Sequence, residues 1–208
     1  MEDVLDLYTQ SYDPLYPVVC MDEANKQLVE ELREKLPPIP GHPETYDLQY
    51  KRAGVSDLFI FVEPLAGWRS VEVTDFRRKE EWVYCLKNLL ETQYKDAKLV
   101  RIVLDNLNTH NPSAFYEFFP PDVAKSLLDR VEFHFTPKHA SWLNIAEIEI
   151  SVLSRQCLNQ RIPSKEYMKQ VVSLWVKERN FKLKKIIWQF TTKDARIKLK
   201  KLYPSFKV

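Results

Sequence analysis

Residues 99–105 have the sequence Leu99-Val100-Arg101-Ile102-Val103-Leu104-Asp105. A nearly continuous apolar run of this length is typical of a strand that is buried on both faces, and this one ends on an aspartate. A second apolar run, at 18–21, ends at Asp22 and Glu23. Ligands of open α/β sheets gather outside the carboxyl ends of the strands. We therefore expect Asp22 and Asp105 to meet if the two strands are neighbours.

The rest of the chain predicts a mixed order of strands and helices. Strands are predicted at 18–21, 58–62, 68–73, 99–104 and 131–135. Helices are predicted within 1–16, 25–36, 77–95, 111–129 (a pair), 145–158 and from Ser164 onward. Three early strands followed by alternating helices and strands give an α/β fold with a mixed sheet between helices. This is the order of the RNase H-like fold, a mixed five-stranded sheet flanked by helices, although other mixed folds share it.

Composition excludes several classes of protein. The chain has 208 residues, of which 45% are hydrophobic, so it can bury a core and is not disordered. Its three glycines make no phosphate-binding loop. The three cysteines form no C-x-x-C pair, which argues against structural zinc. With no signal segment or membrane span, we expect a soluble, intracellular protein.

The charge is distributed unevenly. Residues 177–208 contain eleven Lys and Arg against two acidic residues, a net of +9, which leaves −7 for the remainder of a chain whose total is +2. A basic arm on a mildly acidic body suits a polyanionic partner and a carboxylate-lined site. A solvated helical face explains the same lysines equally well, and both interpretations stay open.

Two aspartates at one sheet edge need a third carboxylate to make a metal site. The helix after the last strand offers Glu147 and Glu149. Such oxygen ligands suit Mg²⁺, and two ions could activate the attacking oxygen and stabilise the leaving one in phosphoryl transfer. An aspartate after a strand is also often only a cap or turn residue.

Helical geometry favours Glu147 over Glu149. Asn144, Glu147, Ser151 and Ser154 share one polar stripe at i, i+3 and i+4 spacing. Glu149 lies about 200° round the helix from Glu147, so only one of the two can face the site.

Two longer blocks resemble a known family. These are Val103-Leu104-Asp105-Asn106-Leu107-Asn108-Thr109-His110 and Phe135-Thr136-Pro137-Lys138-His139-Ala140-Ser141-Trp142-Leu143-Asn144-Ile145-Ala146-Glu147. They resemble the second and third carboxylate blocks of DDE transposases, specifically the mariner-like insertion sequence 630 family. The block Val19-Cys20-Met21-Asp22-Glu23 resembles the family's first strand and aspartate. The resemblance runs from about Pro17 to Gln160.

The resemblance implies that Asp22, Asp105 and Glu147 are the catalytic residues and bind two Mg²⁺ or Mn²⁺ ions. It implies cleavage of double-stranded DNA at transposon ends by water attack, joining of the freed 3′-OH into a TA target, and action as a homodimer. Two departures occur. Ile145 stands where the family has proline, and 41 residues lie between Asp105 and Glu147, more than is usual in the superfamily.

Six basic residues are candidates for DNA contact: Lys138, His139, His110, Lys182, Lys184 and Lys185. Lys138 and His139 are predicted on the loop before the Glu147 helix, where they could touch phosphates, although a loop lysine is more often solvated. His110 either contacts phosphate or organises the site, or it is a cap or turn residue. The tail aromatics Phe181, Trp188 and Phe190 suit core or interface packing more than base stacking.

We predict three segments: a lead-in over 1–16, an RNase H-like DDE catalytic domain over 17–160, and a basic helical extension over 161–208. A catalytic strand this early leaves no room for the family's N-terminal helix-turn-helix domains, which suggests a shortened form, a second reading frame of a split gene or a decayed copy. The rival functions are a catalytically silent DNA-binding or dimerisation module and an RNase H-like nuclease of replication or repair.

Overall fold

The sheet has five strands in the order β3-β2-β1-β4-β5. In the computed structural model, which describes residues 1–32, 40–41, 49–138 and 140–203, they are β1 Val18–Glu31, β2 Tyr50–Glu63, β3 Trp68–Thr74, β4 Val100–Leu104 and β5 Val131–Phe135. The first three form an antiparallel meander, and β1, β4 and β5 are parallel. The predicted mixed five-stranded sheet flanked by helices is confirmed.

Seven α-helices lie in the described part of the chain: α1 Glu2–Tyr8, α2 Lys79–Glu91, α3 Phe115–Phe118, α4 Pro121–Leu128, α5 Ile145–Gln156, α6 Lys165–Phe181 and α7 Thr192–Lys198. Side-chain oxygens fix several helix starts. Asn144 accepts from the backbone N–H of Ala146, and Ser164 accepts from that of Tyr167. Such caps satisfy backbone donors that have no partner within the helix. Within the described residues, no helix is long and apolar enough to cross a membrane.

The helix predicted over 25–36 is wrong wherever the structure describes it. β1 does not end at Asp22 but continues to Glu31, and it pairs with β2 from Asn25↔Asp57 to Glu31↔Tyr50. The local sequence favours a helix, but β2 is much longer than expected and offers a ladder of backbone partners. Tertiary pairing overrides weak local propensity here. Residues 33–36, and most of the loop predicted at 36–41, lie outside the described residues.

Each face of the sheet has its own core. Cys20 and Val103 face a cluster with α1, α5 and α6, whereas Val19 and Met21 face one built on α2, α3 and α4. Successive strand residues point to opposite faces, which explains the division. Trp82, fully buried, anchors the α2 side. By the same alternation, Asp22 belongs to the α5 side and Glu23 to the α2 side.

The C-terminal segment is part of the first core. Trp175 and Ala195 belong to the cluster that contains Val4 and Cys20. The boundary at residue 160 remains a proposal, and members of the described part of the extension, residues 161–203, pack on the same core as the first strand. Partly buried Trp188 and Phe190 also pack on this cluster, whereas Phe181 is 88% exposed.

The tail predicted as helical has no regular secondary structure over residues 184–191, between α6 and α7. It crosses the β2–β3 turn, where the N–H of Ile186 donates to the Pro64 carbonyl at 3.0 Å. Gly67 makes this crossing possible, because it has φ +71 and a Cβ there would lie 2.7 Å from the Leu183 carbonyl carbon. This contact with the turn therefore takes the place of a hydrogen bond between residues i and i−4, which the segment would have made as a helix.

Candidate active site

Asp22 and Asp105 lie at the same edge of the sheet. The parallel register pairs Val18 with Arg101 and Cys20 with Val103, and continuing it by two residues sets Asp22 beside Asp105. Asp22 shares the face of Cys20, toward α5, and Asp105 directly follows Leu104, the last residue of β4. The condition stated from the sequence, that the two strands be neighbours, is therefore met.

The pKa of Asp22 is raised to about 6, first by burial and then by the negative charges of Asp105, Glu147 and Glu23. A hydrogen bond of 2.7 Å from the Glu23 N–H to Asp22 Oδ1 opposes this shift. Like charges and desolvation both disfavour the ionised form. The negative charges of Asp105 and Glu147 therefore both act on Asp22. The structure brings the three predicted catalytic residues close enough for their charges to interact.

Asn144 ties the start of α5 to β1. Its Nδ2 donates to the Met21 carbonyl at 2.8 Å and lies 3.4 Å from Asp22 Oδ2, while its Oδ1 accepts from the Ala146 N–H at 3.1 Å. Asn144 is 1% exposed, so these bonds are shielded from water. They fix the first turn of α5, which carries the exposed Glu147, next to Asp22.

Glu149 has a different environment. Its side chain is 1% exposed, and its Oε1 lies 3.0 Å from Arg69 Nε and 2.6 Å from Arg179 Nε. Arg179 Nη2 adds a bond of 3.0 Å to Oε2. Both carboxylate oxygens of Glu149 are therefore committed to arginines that join α5, β3 and α6.

His110 lies between two acidic side chains. Its Nδ1 is 2.7 Å from Asp105 Oδ1 and its Nε2 is 3.0 Å from Glu23 Oε1, with no exposed side-chain surface on the histidine. Burial lowers the pKa of His110, but the hydrogen bonds to Asp105 and Glu23 outweigh it and raise the pKa to about 9. Both ring nitrogens are occupied and buried, a geometry that suits the alternative of organising the site better than a contact with DNA phosphate, and the two roles stay predictions.

The other predicted DNA contacts are scattered. Lys138 is exposed and lines a cleft with Asp105, Thr136 and Ser141. His139 lies outside the described residues. The tail lysines are not brought to this cleft: Lys182 pairs with Glu178, and the exposed Lys184 and Lys185 follow α6 near the β2–β3 turn, at the opposite end of the strands.

The donor set suits a hard divalent cation. Within the described residues no salt bridge reaches Asp22, and no group of three or more His, Cys, Asp or Glu side chains is placed so that it could hold a metal ion without further ligands or a change of rotamer. Mg²⁺ usually takes one or two carboxylates and completes its shell with water and substrate phosphate. Asp22, Asp105 and Glu147 supply only oxygen donors and an excess of negative charge, which is the donor chemistry that such an ion binds.

Sequence reasoning gave no role to Glu23 or Arg77. Glu23 has 4% side-chain exposure and receives His110, while Arg77 approaches it at 4.0 Å and bonds Asp57 Oδ1 at 3.1 Å. The available signal was the Asp-Glu pair at the end of the first apolar run together with the five-residue spacing from Asp105 to His110. Neither feature reveals by itself that Glu23 and His110 meet.

Similarity to solved structures agrees with the fold. The chain is similar to the Mos1 strand transfer complex (19% identity, TM-score 0.58), to the Mos1 mariner paired end complex with Mn (18%, 0.55) and to a pre-cleavage Mos1 transpososome (17%, 0.55). Each likeness covers 88% of this chain and 56%, 55% and 59% of the solved chain, respectively. The chain therefore spans a little over half the length of these relatives, and the likeness shows the RNase H-like fold they share.

Among curated proteins, none matches this chain. The family of DDE superfamily endonucleases matches residues 17–169, which is well over half of the chain. That range includes both aspartates, His110 and the first turn of α5, so the match and the converging carboxylates describe the same region. This chain belongs to the DDE superfamily endonucleases.

Proposed function

We propose that this chain is the catalytic domain of a DNA transposase of the mariner-like insertion sequence 630 type. Asp22, Asp105 and Glu147 are its catalytic residues. The observation that carries the proposal is their convergence: one aspartate on β1, one directly after the neighbouring parallel strand β4, and a glutamate on the helix that Asn144 ties to β1. The blocks at 103–110 and 135–147 support the narrower family assignment.

Asp22, Asp105 and Glu147 would hold two Mg²⁺ or Mn²⁺ ions, which supply activation of the attacking oxygen and stabilisation of the leaving one. The protein's own contribution is rigidity. Asn144 holds α5 against β1, and the Arg69–Glu149–Arg179 group anchors the same helix to β3 and α6. Fixed ligands reduce the reorganisation needed when the phosphate arrives.

Double-stranded DNA is the proposed substrate, with transposon ends and a TA target as its sites. The cleft beside Asp105 is lined by Thr136, Lys138 and Ser141, and hydroxyl and ammonium donors are those that bind phosphate oxygens. The Mos1 structures are named as a strand transfer complex and a paired end complex, and this supports DNA as the class of partner. We further propose that the domain acts as a homodimer on the nucleoid of a bacterial cell.

The test is nicking of supercoiled plasmid in Mg²⁺ or Mn²⁺, which needs no knowledge of the transposon ends. Wild-type protein should convert supercoiled to open-circular DNA only with the metal, and Asp22→Asn and Asp105→Asn should abolish the conversion. Binding of DNA without metal-dependent nicking by the wild type would contradict the proposal and favour the catalytically silent module.

A further inference from the structure

His110 connects Glu23 to Asp105. Glu23, on the α2 side, accepts from His110 Nε2 at 3.0 Å. His110 Nδ1 lies 2.7 Å from Asp105 Oδ1, an ion-pair contact, and 3.2 Å from the main-chain carbonyl oxygen of Asp105. Glu23 and His110 are almost entirely buried, with side-chain exposures of 4% and 0%, whereas Asp105 is 31% exposed. Of these three side chains, only that of Asp105 therefore reaches the cleft.

Asp105 needs such support because of its location. β4 ends at Leu104, and residues 105–107 have no regular secondary structure. A side chain just beyond a strand end is not oriented by the ladder, so its rotamer depends on its own contacts. Within the described residues, the His110 ring supplies the side-chain partner of Asp105.

The His110 ring itself cannot turn freely. It lies 5.5 Å from the ring of Trp82, centroid to centroid, and Trp82 is fully buried on α2. The backbone N–H of His110 donates to the Leu107 carbonyl at 3.0 Å, which closes the turn that returns the chain from Asp105. Glu23 holds the far nitrogen. The ring is thus fixed by packing on its face and by bonds at both edges.

We propose that His110 is a positioning residue that holds the Asp105 carboxylate in its metal-binding orientation, with Glu23 anchoring the ring at Nε2. The inference rests on the proposed function, since it requires Asp105 to be a metal ligand. Outer-shell partners of this kind hold metal-binding carboxylates through hydrogen bonds, and their loss typically weakens metal affinity about 10- to 100-fold.

Two substitutions at position 110 separate geometry from charge. In His110→Asn the amide nitrogen occupies the place of Nδ1 and keeps the donor to Asp105, whereas in His110→Gln it reaches the place of Nε2 and keeps only the contact with Glu23. Both remove the imidazole and any positive charge, so the difference between them reports the bond to Asp105. Mn²⁺ binding to the DNA-free protein is measured by titration calorimetry, beside plasmid nicking.

We expect His110→Gln to raise the Kd for Mn²⁺ by about 10-fold or more and His110→Asn to raise it much less, with nicking restored in His110→Gln by excess metal. Equal Mn²⁺ affinity in the two variants would overturn the inference. A second pair of variants tests the same inference if a position-110 variant does not fold. Glu23→Ala should weaken Mn²⁺ binding, whereas Glu23→Gln, which keeps a hydrogen-bond acceptor, should preserve it. Unchanged affinity in a folded Glu23→Ala would overturn the inference as well.

Asp105→Asn distinguishes this inference from the proposed function. If Asp105→Asn loses Mn²⁺ binding while His110→Gln keeps it, only the positioning role fails. If the wild type neither binds Mn²⁺ nor nicks DNA, the proposed function fails and the positioning role fails with it.

Discussion

Glu147 and Glu149, two residues apart on α5, have opposite environments: Glu147 is exposed beside Asp22, and Glu149 is buried between Arg69 and Arg179. The two glutamates that sequence alone makes rivals for the third catalytic position are therefore a matched pair for experiment. One substitution tests chemistry, and the same substitution two residues away tests stability.

Glu147→Gln should abolish metal-dependent nicking while leaving the melting temperature nearly unchanged, because an exposed side chain is replaced by one of the same shape. Plasmid nicking and thermal unfolding of the same preparation provide the check. If Glu147→Gln nicked DNA at the rate of the wild type, another carboxylate would have to complete the site.

Glu149→Gln should instead destabilise the fold, because it leaves the buried Arg69 without its anionic partner. Breaking a buried ion pair costs about 3–5 kcal/mol, and the partial exposure of Arg179 places this case toward the lower figure. Urea unfolding should show a lower midpoint, while nicking per folded molecule persists at low temperature. A stable Glu149→Gln protein without nicking would reverse the roles assigned to the two glutamates.

Asp22→Asn should stabilise the metal-free protein at neutral pH. The pKa of Asp22 is raised to about 6 by burial and by neighbouring carboxylates, so its ionised form is less favourable in the folded state than in the unfolded one. A carboxyl with a raised folded pKa loses stability as pH rises from about 4 through 6. The gain should be on the order of 1–2 kcal/mol after allowance for partial exposure.

The measurement is thermal unfolding without metal and with saturating Mn²⁺. The wild type should gain stability on adding Mn²⁺, because a ligand that binds only the folded state stabilises it, and Asp22→Asn should gain little. A destabilised Asp22→Asn protein at pH 7 would contradict the electrostatic account of Asp22.

The docking of α7 on α1 should weaken in acid. Arg196 bonds Glu2 through two contacts of 2.7 Å, and this hydrogen-bonded pairing is the main reason that the pKa of Glu2 is lowered to about 2. A depressed carboxyl pKa contributes stability that is present above the unfolded value and is lost as pH falls through about 2. The protection factors of the α7 amides against hydrogen exchange should therefore fall between about pH 4 and pH 2, whereas those of Arg196→Gln should be low throughout that range.

DNA affinity of the basic tail is best tested by substitution. Deletion of residues 177–208 would remove Trp188, Phe190 and Ala195, which pack on the core. Replacing the exposed Lys184, Lys185 and Lys193 with Gln keeps that packing. If all three contact phosphates, the slope of log K against log salt should flatten by up to about 2.7, since each contact contributes roughly 0.9. An unchanged slope in a titration would show that these lysines form a solvated face.

The sequence predicted the parts of the fold that local patterns encode. Apolar runs ending on Asp22 and Asp105 located two buried strands, and helical spacing separated Glu147 from Glu149. The extension of β1 to Glu31 could not be predicted, because its partner is a strand distant in sequence. The contact between Glu23 and His110 could not be predicted either. The two residues are 87 positions apart in the sequence, and only the folded sheet brings them together.

Residues near both ends of the sequence pack into the same core, and this has a consequence for synthesis in the cell. The cluster around Cys20 draws members from Val4 near the start and from Ala195 near the end. While the chain is being translated, β1–β3 emerge early with one apolar face uncovered, and α5, α6 and the crossing segment that cover it emerge last. Uncovered apolar faces and strand edges promote aggregation. The core of the domain can therefore be completed only after α7 has left the ribosome.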